Sequence, residues 1–343
     1  MKILLALVMT AGLAAAASKT LDVHLIDVEG GKALLIVTQA GESMLIDAGW
    51  AGSNTREAST DRILEAAQAA GLKQIDYLVI SHYDGDHLGD VPKLAAKIPI
   101  RHLVDHGAYI STNAAALQRF AEYTELYKTI DHIEAKPGDK IPIKGLDVQV
   151  VTAAGNVISK PVKGGGAPNP YCAANPQKPE LMKEDNSSVG LLFTYGKFRM
   201  LDLADLEAYK SYELACPNNL IGEVDVYQVS GHGQVKAMAP ELLSALHPRV
   251  AIMGNGARKG GELATWPLLR STPGLEDIWQ SHYPTIRDKD TNPSDDFIAN
   301  LEPSTPAPND QWKMLKLSAD SDGTFTITNG RNGFSKTYKP KKY

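Results

Sequence analysis

The segment Ile75–Ser81 (IDYLVIS) is a continuous apolar run followed at once by polar residues that can bind a metal ion. A short run of this kind is typical of a strand buried on both faces of a sheet. The loop after it, SHYDGDHLGD, carries His82, Asp84, Asp86 and His87. The sequence therefore predicts a layered α/β fold with a polar site at the carboxyl end of a central strand.

The loop at residues 81–90 has the chemistry of a metal site. Asp84 and Asp86 are neighbouring carboxylates, and their repulsion is unfavourable unless a cation neutralises it. A calcium-type acidic turn or a solvated polar loop is the alternative interpretation. The two imidazoles argue against calcium, which prefers oxygen ligands, and favour a transition metal such as zinc or manganese.

Strands and helices alternate on both sides of this loop. Before it, LDVHLIDV, ALLIVT and SMLIDAG predict an antiparallel meander, and residues 63–70 predict a helix. After it we expect a short helix at DVPKLAAKI, a strand at RHLVDHG and a helix from about 113 to 127. These patterns are those of an α/β domain.

The pattern restarts in the second half of the chain. Strands are expected at SSVGLLFTYG, KFRMLDL, VDVYQVS and PRVAIMG, helices near 206–214 and 240–246, and a closing hairpin at MLKLSA and GTFTITN. Residues 153–185, rich in Gly and Pro, predict a long surface loop between the halves. We expect a pseudo-symmetric sandwich with helices outside and two sheets within, forming one domain from 18 to 343.

The N-terminal residues have the layout of a secretory signal peptide. Lys2 precedes an apolar run, which is followed by small residues up to Ala17. A buried N-terminal helix is the alternative. We expect cleavage after Ala17, a secreted or periplasmic protein, and no later segment that crosses a membrane. Export would allow Cys172 and Cys216 to pair and tether the 153–185 loop; two buried free thiols are the other interpretation.

The overall charge constrains the partners. A formal net charge of −5 and a pI near 6.0 give no broad basic surface. This weakens, without excluding, nucleic acid as a substrate, because phosphate binding would need a local basic patch. The composition leaves the oligomeric state open.

The loop at 81–90 resembles the signature of the metallo-β-lactamase superfamily, His-x-His-x-Asp-His at a strand end. Asp84 stands where most members have the second His. That substitution resembles the extracytoplasmic hydrolase domains of competence DNA-uptake channels and the phosphorylcholine esterases. The resemblance continues through LIDAG, LDLAD, VSGHG and HPRVAIMGNGARKGG. It implies a four-layer αββα sandwich and a metal-dependent hydrolase.

The resemblance also implies a ligand set. Asp205 in LDLAD corresponds to the metal-bridging Asp of the family. His232 in VSGHG corresponds to the second His of a His-His-Gly motif, in which Gly231 replaces the first, so the site would be poorer by one ligand. A loop histidine capping a turn is the alternative for His232.

The ligand from the third family motif stays open. No His precedes SSVGLLF, where Glu184, Asp185 and Asn186 stand instead, and His106 in VDHGA is the other candidate. Asp27 and Asp47 end apolar strands, and in relatives such acids orient ligand imidazoles. Asp202 is interpreted as structural or as supporting a ligand. The remaining histidines are interpreted as surface or packing residues: His24, His102, His132, His247 and His282.

The expected site is dinuclear and holds two divalent transition-metal ions, zinc or manganese. His82 and Asp84, with His106 or an acid near Asp185, would hold one ion. Asp86, His87 and His232 would hold the other, and Asp205 would bridge them. Asp86 is also the expected catalytic residue, orienting the nucleophile or passing a proton.

The expected function is hydrolysis of a small-molecule ester or a phosphodiester by metal-activated water. The competence-type domains have Gly-His-Pro near GARKGGELA, which this chain lacks, so its substrate contacts are expected to differ. Arg258 and Lys259 there either hold an anionic group or are simply solvated. A non-catalytic exported binding protein with a degenerate metal site is the alternative function.

Overall fold

A computed structural model of the chain describes residues 20–52, 59–172, 182–285, 291–302 and 312–341. The expected signal peptide at 1–17 lies outside these ranges.

The first half of the described chain contains strands β1 Leu21–Leu25, β2 Leu34–Val37, β3 Ser43–Ile46, β4 Ile75–Val79, β5 Ile100–Asp105, β6 Asp131–Glu134, β7 Lys140–Ile141, β8 Asp147–Ala153, β9 Asn156–Val157 and β10 Ala167–Pro168. Its helices are α1 Thr60–Ala69, α2 Val91–Lys97 and α3 Ala114–Thr124, with a 3-10 turn at Glu125–Lys128.

The second half contains β11 Gly190–Tyr195, β12 Phe198–Asp202, β13 Asn218–Asn219, β14 Val226–Gln228, β15 Val250–Met253, β16 Asp277–His282, β17 Ile298–Asn300, β18 Leu315–Ala319, β19 Phe325–Asn329 and β20 Ser335–Tyr338. Its helices are α4 Ala208–Ala215, α5 Pro240–Leu246 and α6 Thr265–Arg270, with 3-10 turns at Glu184–Ser187, Ser230–Gly233, Val235–Ala237 and Asp295–Phe297.

The strands form two large sheets. The first has the order β20-β19-β18-β1-β2-β3-β4-β5-β6, and the second has the order β17-β16-β15-β14-β12-β11-β8-β7, with β9 paired to β8. The opening meander β1-β2-β3 is antiparallel, as predicted, and β3 to β6 are parallel. The predicted closing hairpin β18-β19 is confirmed, and it joins the first sheet through β1.

Alternation along β4 explains how the layers stack. Tyr77 and Val79 face an apolar core shared by the two sheets, whereas Leu78 and Ile80 face the core beneath helices α1 to α3. Successive side chains of a strand point to opposite faces, so a strand packed on both sides must be apolar throughout. A third apolar cluster packs α4, α5 and α6 against the second sheet. The four-layer αββα sandwich predicted from the sequence is confirmed.

The predicted helices are present with small shifts at their ends. Asn113 caps α3 by accepting a hydrogen bond from the Ala116 N–H at 3.0 Å, and Asp90 caps α2 in the same manner. Helix α5 has the predicted bounds, with Pro240 at its first turn, where the missing N–H costs nothing. Among the described helices, none has the length and apolarity needed to span a membrane.

The loop at 153–185 is fastened rather than free. Cys172 and Cys216 form a disulfide, which confirms the predicted pairing. Residues before the bridge are also bound to the segment after α4: Gly166 N–H donates to the Asn219 carbonyl at 2.7 Å, and β10 pairs with β13. Residues 173–181 of the loop lie outside the described ranges.

Candidate metal centre

The loop at 81–90 leaves the carboxyl end of β4, where the sheet ends and the chain must turn. Amide groups of His87 and Leu88 donate to the Asp84 carbonyl at 3.0 and 2.9 Å, which closes the turn. His82 and His87 are fully buried, and Asp86 is 6% exposed. The Asp84 side chain, by contrast, is 45% exposed.

Four of the expected ligands converge in one buried group: Asp86, His87, Asp205 and His232. Asp205 follows β12 in the second sheet, and His232 lies in the turn after β14. His87 Nε2 lies 3.1 Å from His232 Nε2, 3.2 Å from Asp86 Oδ2 and 3.3 Å from Asp205 Oδ1. His232 Nε2 lies 3.1 Å from Asp86 Oδ2 and 3.3 Å from Asp205 Oδ1.

The distances between the nitrogen and oxygen atoms of this group are those expected between ligands of one small cation. Two ligands bound at about 2.0–2.1 Å to a tetrahedral zinc ion are about 3.3 Å apart. The five distances of 3.1–3.3 Å account for five of the six edges of such a tetrahedron. The donor set of two imidazoles and two carboxylates also suits a transition metal better than calcium.

A second group contains His82, Asp84 and Asp185, whose ligand atoms lie within 4.8 Å of one another. Asp185 belongs to the 3-10 turn Glu184–Ser187 and also contacts Lys236. His82 Nε2 is buried and has no hydrogen-bond partner in the part of the chain that the structure describes. A buried polar atom left in this state is costly unless something binds it, and a cation bound to the nitrogen would remove the cost.

His106 is not brought into either group. Its Nε2 lies 2.8 Å from Glu184 Oε1, and the same carboxylate accepts hydrogen bonds from the Tyr83 and Ile110 amides at 3.0 and 3.2 Å. The structure thus differs from the expectation that His106 joins the first ion and favours the other candidate, Asp185. Glu184 instead fixes the turn that presents Asp185 to the loop at 81–90.

Partners behind the imidazoles fix their orientation. Asp47 Oδ2 lies 2.8 Å from His87 Nδ1 and accepts a hydrogen bond from Ser81 Oγ at 2.8 Å. His232 Nδ1 lies 3.0 Å from the Gly254 carbonyl oxygen. Each contact turns Nε2 of the ring towards the cluster. Asp47 thus contacts the ring of a predicted ligand, as expected.

Asp27 departs from its expected role. Its Oδ2 lies 2.7 Å from Nε2 of His282, a fully buried residue, and Arg62 completes the group through the Asp27 carbonyl at 2.9 Å. Asp27 therefore orients no predicted ligand, and His282 is a paired buried group rather than a surface or simple packing residue.

A buried lysine lies beneath the cluster. Lys32 Nζ lies 2.6 Å from Asp202 Oδ1 and 3.8 Å from Asp47 Oδ2. It links the turn before β2 in the first sheet to the end of β12 in the second. Asp202 therefore supports the site through Lys32, in line with its interpretation as a supporting residue.

The turn carrying His232 requires glycine at position 231. Gly231 and His232 have φ of 57° and 55°, in the left-handed region that glycine adopts without strain. A Cβ at Gly231 would lie 2.6 Å from the Ala237 Cβ. Any side chain at position 231 would therefore force the turn or Ala237 to shift.

The crowded side chains of the site have shifted pKa values, some raised and some lowered. Burial, together with the neighbouring carboxylates of Asp185 and Asp86, raises the pKa of Asp84 to about 6. Burial, together with the neighbouring His87, lowers the pKa of His82 to about 3. Burial also opposes ionisation of Asp205, but His232 and His87 outweigh it and hold the Asp205 pKa well below its usual range. A bound cation would give His82 Nε2 a partner and would reduce the repulsion between the neighbouring carboxylates.

Lys259 reaches the cluster from the loop after β15. Its ammonium contacts Asp86 Oδ2 and lies 5.2 Å from the centre of the Trp50 ring. Of the two basic residues noted in the sequence, Arg258 is exposed and Lys259 is half-buried at the site. Sequence reasoning missed the roles of Glu184 and Lys32, since neither residue carries a local signal for its distant partner.

Residues 26–173 match the family model described as the Metallo-beta-lactamase superfamily. The match includes the loop at 81–90 and ends before Asp205 and His232. Two curated relatives are ComE operon protein 3 of Bacillus subtilis, 25% identical over 251 residues, and Recombination protein 2 of Haemophilus influenzae, 28% identical over 240 residues. The alignments cover 68% and 69% of this chain but only 28% and 24% of the relatives. The chain therefore spans about a quarter of the length of either protein.

A similar solved structure is the metallo-beta-lactamase fold protein YhfI from Bacillus subtilis, with 13% identity and a TM-score of 0.49 over 77% of this chain and 97% of that one. The family model covers the strand and loop that carry His82 to His87, and the two sheets with outer helices complete the expected architecture. Residues 26–173 therefore resemble the metallo-beta-lactamase superfamily, and the two sheets with their outer helices have the layers expected of that fold.

Proposed function

We propose that the chain is an exported metal-dependent hydrolase that acts on an ester or a phosphodiester. The observation that carries the proposal is the group of Asp86, His87, Asp205 and His232, whose inward nitrogen and oxygen atoms lie 3.1–3.3 Å apart. Hydrolysis is the prevailing activity of the metallo-beta-lactamase superfamily, which residues 26–173 match, and such a site agrees with it.

Two divalent ions are proposed, with zinc favoured and manganese as the alternative. The four-residue group would hold one ion, and its two imidazoles suit zinc. His82, Asp84 and Asp185 would hold the other, and their carboxylate oxygens also suit manganese. Asp205 is the residue proposed to bridge the two.

When bound, such ions supply a hydroxide nucleophile near neutral pH and stabilise negative charge on the substrate. The side chains of the protein then position the reactants. Asp86, at the edge of the cluster, can accept a proton or orient the nucleophile. Lys259, already beside Asp86, can bind an anionic oxygen of the substrate. Burial of both imidazoles keeps bulk water from competing with these contacts.

An anionic ester fits this arrangement better than a neutral one, because Lys259 adds positive charge to that of the ions. One relative is named for recombination, which keeps nucleic acid phosphodiesters within the proposed class. The net charge of −5 favours a small phosphodiester over a long polyanion.

The proposed metal content tests the ligand group directly. We expect wild-type protein supplied with zinc to bind about two ions per chain and His87→Ala to lose at least one of them, because His87 contacts three other members of the group. His102→Ala is the matched control, since His102 stacks on Tyr77 away from the cluster. Elemental analysis measures the ratio, and full occupancy of His87→Ala would rule out this ligand assignment.

Activity tests the hydrolase itself. A panel of chromogenic phosphodiester, phosphomonoester, lactone, ester and β-lactam substrates should reveal turnover of a phosphodiester or ester by the zinc- or manganese-supplied protein. Asp205→Ala should reduce the rate by at least about a hundredfold, because the bridging carboxylate is lost. Bound metal without turnover of any substrate would favour the alternative, a non-catalytic binding protein. A wild-type rate in Asp205→Ala would contradict the dinuclear mechanism.

Asp47 provides a test of how the cluster is oriented. Asp47→Asn should weaken zinc binding by roughly ten- to a hundredfold, because the partner of His87 Nδ1 loses its charge. Asp76→Asn is the matched control: Asp76 is also buried, but it lies at the opposite end of β4 from His82. Competition with a chromogenic chelator measures the affinity. Equal affinities in the two variants would refute an orienting role for Asp47.

Export is proposed from the N-terminal layout and is supported by the Cys172–Cys216 disulfide, since such bridges persist in oxidising compartments. When the full chain is produced in an exporting host, the mature protein should begin at Ser18 or within a few residues of it. Mass spectrometry of the exported fraction measures this. A protein that retains Met1 in that fraction would contradict cleavage.

A further inference from the structure

Arg119 lies on α3 beside the loop that carries the proposed ligands. An ideal Cβ built on Gly85 would be 3.4 Å from Arg119 Nη2 and 3.8 Å from its Cζ. Gly85 is the residue between Asp84 and Asp86. The guanidinium of Arg119 therefore covers the backbone at the centre of the loop.

The guanidinium of Arg119 is not used by the fold. Within the described ranges, Arg119 forms no hydrogen bond or ion pair, and its half-covered side chain buries an Nε that has no hydrogen-bond partner. Other arginines are engaged: Arg249 Nε pairs with Glu276 at 2.6 Å, and Arg199 Nη2 donates to the Ile221 carbonyl at 2.8 Å. A buried Nε without a partner loses its hydration with no compensating hydrogen bond, so a structural role does not account for its position.

Aromatic packing holds Arg119 in this position. The next residue, Phe120, packs against Tyr83 with ring centres 4.5 Å apart and against Tyr109 at 5.3 Å. Tyr83 follows His82 in the loop at 81–90, and its ring is fully buried. Helix α3 is therefore fixed to the same loop that presents the proposed ligands, and Arg119 is held beside Gly85 of that loop.

We propose that Arg119 binds an anionic group of the substrate next to the bond that is cleaved. The inference rests on the proposed hydrolase and narrows its substrate class to phosphodiesters that carry a second negative charge. A guanidinium binds carboxylate or phosphate through two parallel N–H···O contacts, which a neutral ester substituent cannot form.

Lys259 and Arg119 reach the loop from different parts of the fold. Lys259 contacts Asp86 from the second sheet, and Arg119 covers Gly85 from a helix on the first. Lys259 would neutralise the phosphoryl group being attacked, whereas Arg119, which has no carboxylate partner among the described residues, would bind the second anion. The substrate specificity of the site therefore depends on α3 as well as on the metal ligands.

Two matched probes test this proposal: 4-nitrophenyl methyl phosphate, with one negative charge, and 4-nitrophenyl 2-carboxyethyl phosphate, with an added carboxylate. We expect the wild type to prefer the second probe in kcat/KM. Arg119→Gln should lower kcat/KM for that probe by about ten- to a hundredfold and leave the methyl probe almost unchanged. Arg119→Lys should retain part of the preference. Arg101→Gln, an exposed arginine at the far end of β5, should change neither probe.

The outcomes separate this proposal from the proposed function. Equal turnover of the two probes by the wild type, or equal slowing of both in Arg119→Gln, would overturn the role of Arg119 and leave the hydrolase intact. If the wild type cleaves neither probe, the proposed hydrolysis of phosphodiesters fails. The role of Arg119 is then tested by measuring binding. Calorimetric titration of the zinc-supplied protein with 2-carboxyethyl phenylphosphonate and methyl phenylphosphonate should then show tighter binding of the carboxylate compound, lost in Arg119→Gln. Equal affinities would overturn the proposal.

Discussion

The contact of two imidazoles and two carboxylates in one buried cluster is the constraint on which the site depends. His87 and Asp86 come from the first sheet, His232 and Asp205 from the second, so the cluster forms only where the ends of both sheets meet. Buried charges of this density are unfavourable unless they are paired or bind a cation. The surrounding groups support this arrangement. Asp47 contacts Nδ1 of His87, and the Gly254 carbonyl contacts Nδ1 of His232, so the Nε2 atoms of both rings point into the cluster.

The elements of the fold follow from local patterns in the sequence. The apolar run through Ile80 predicts a strand buried on both faces, and Pro240 marks the first turn of a helix; both are observed. The loop at 81–90 could also be identified, because its polar residues directly follow an apolar run. Asp205 and His232, after β12 and β14, are assigned through the family resemblance. The four-layer arrangement came from family resemblance, since periodicity alone does not determine how two sheets pack.

Two buried histidine–carboxylate pairs that join distant parts of the chain could not be predicted. His106 and Glu184 are separated by 78 residues, and His282 and Asp27 by 255, and neither histidine has a neighbour that signals its partner. His106 ends a strand at the expected sheet edge, yet its ring turns to a carboxylate from another loop. Strand position therefore predicts which edge a side chain occupies, but the direction of the ring depends on side-chain packing that no local pattern encodes.

Two glycines flank the segment that carries Lys259 and fix its backbone beside the cluster. A Cβ at Gly256 would lie 2.6 Å from the Glu29 carbonyl carbon, and one at Gly260 would lie 2.1 Å from the His232 carbonyl oxygen. The backbone on both sides of Lys259 is thus confined by neighbouring main chain, while the Lys259 side chain itself is half-exposed. During divergence, position 259 can change its charge or size without moving the turn that carries His232. A substitution at position 259 would therefore alter the charge beside Asp86 while this backbone stays in place.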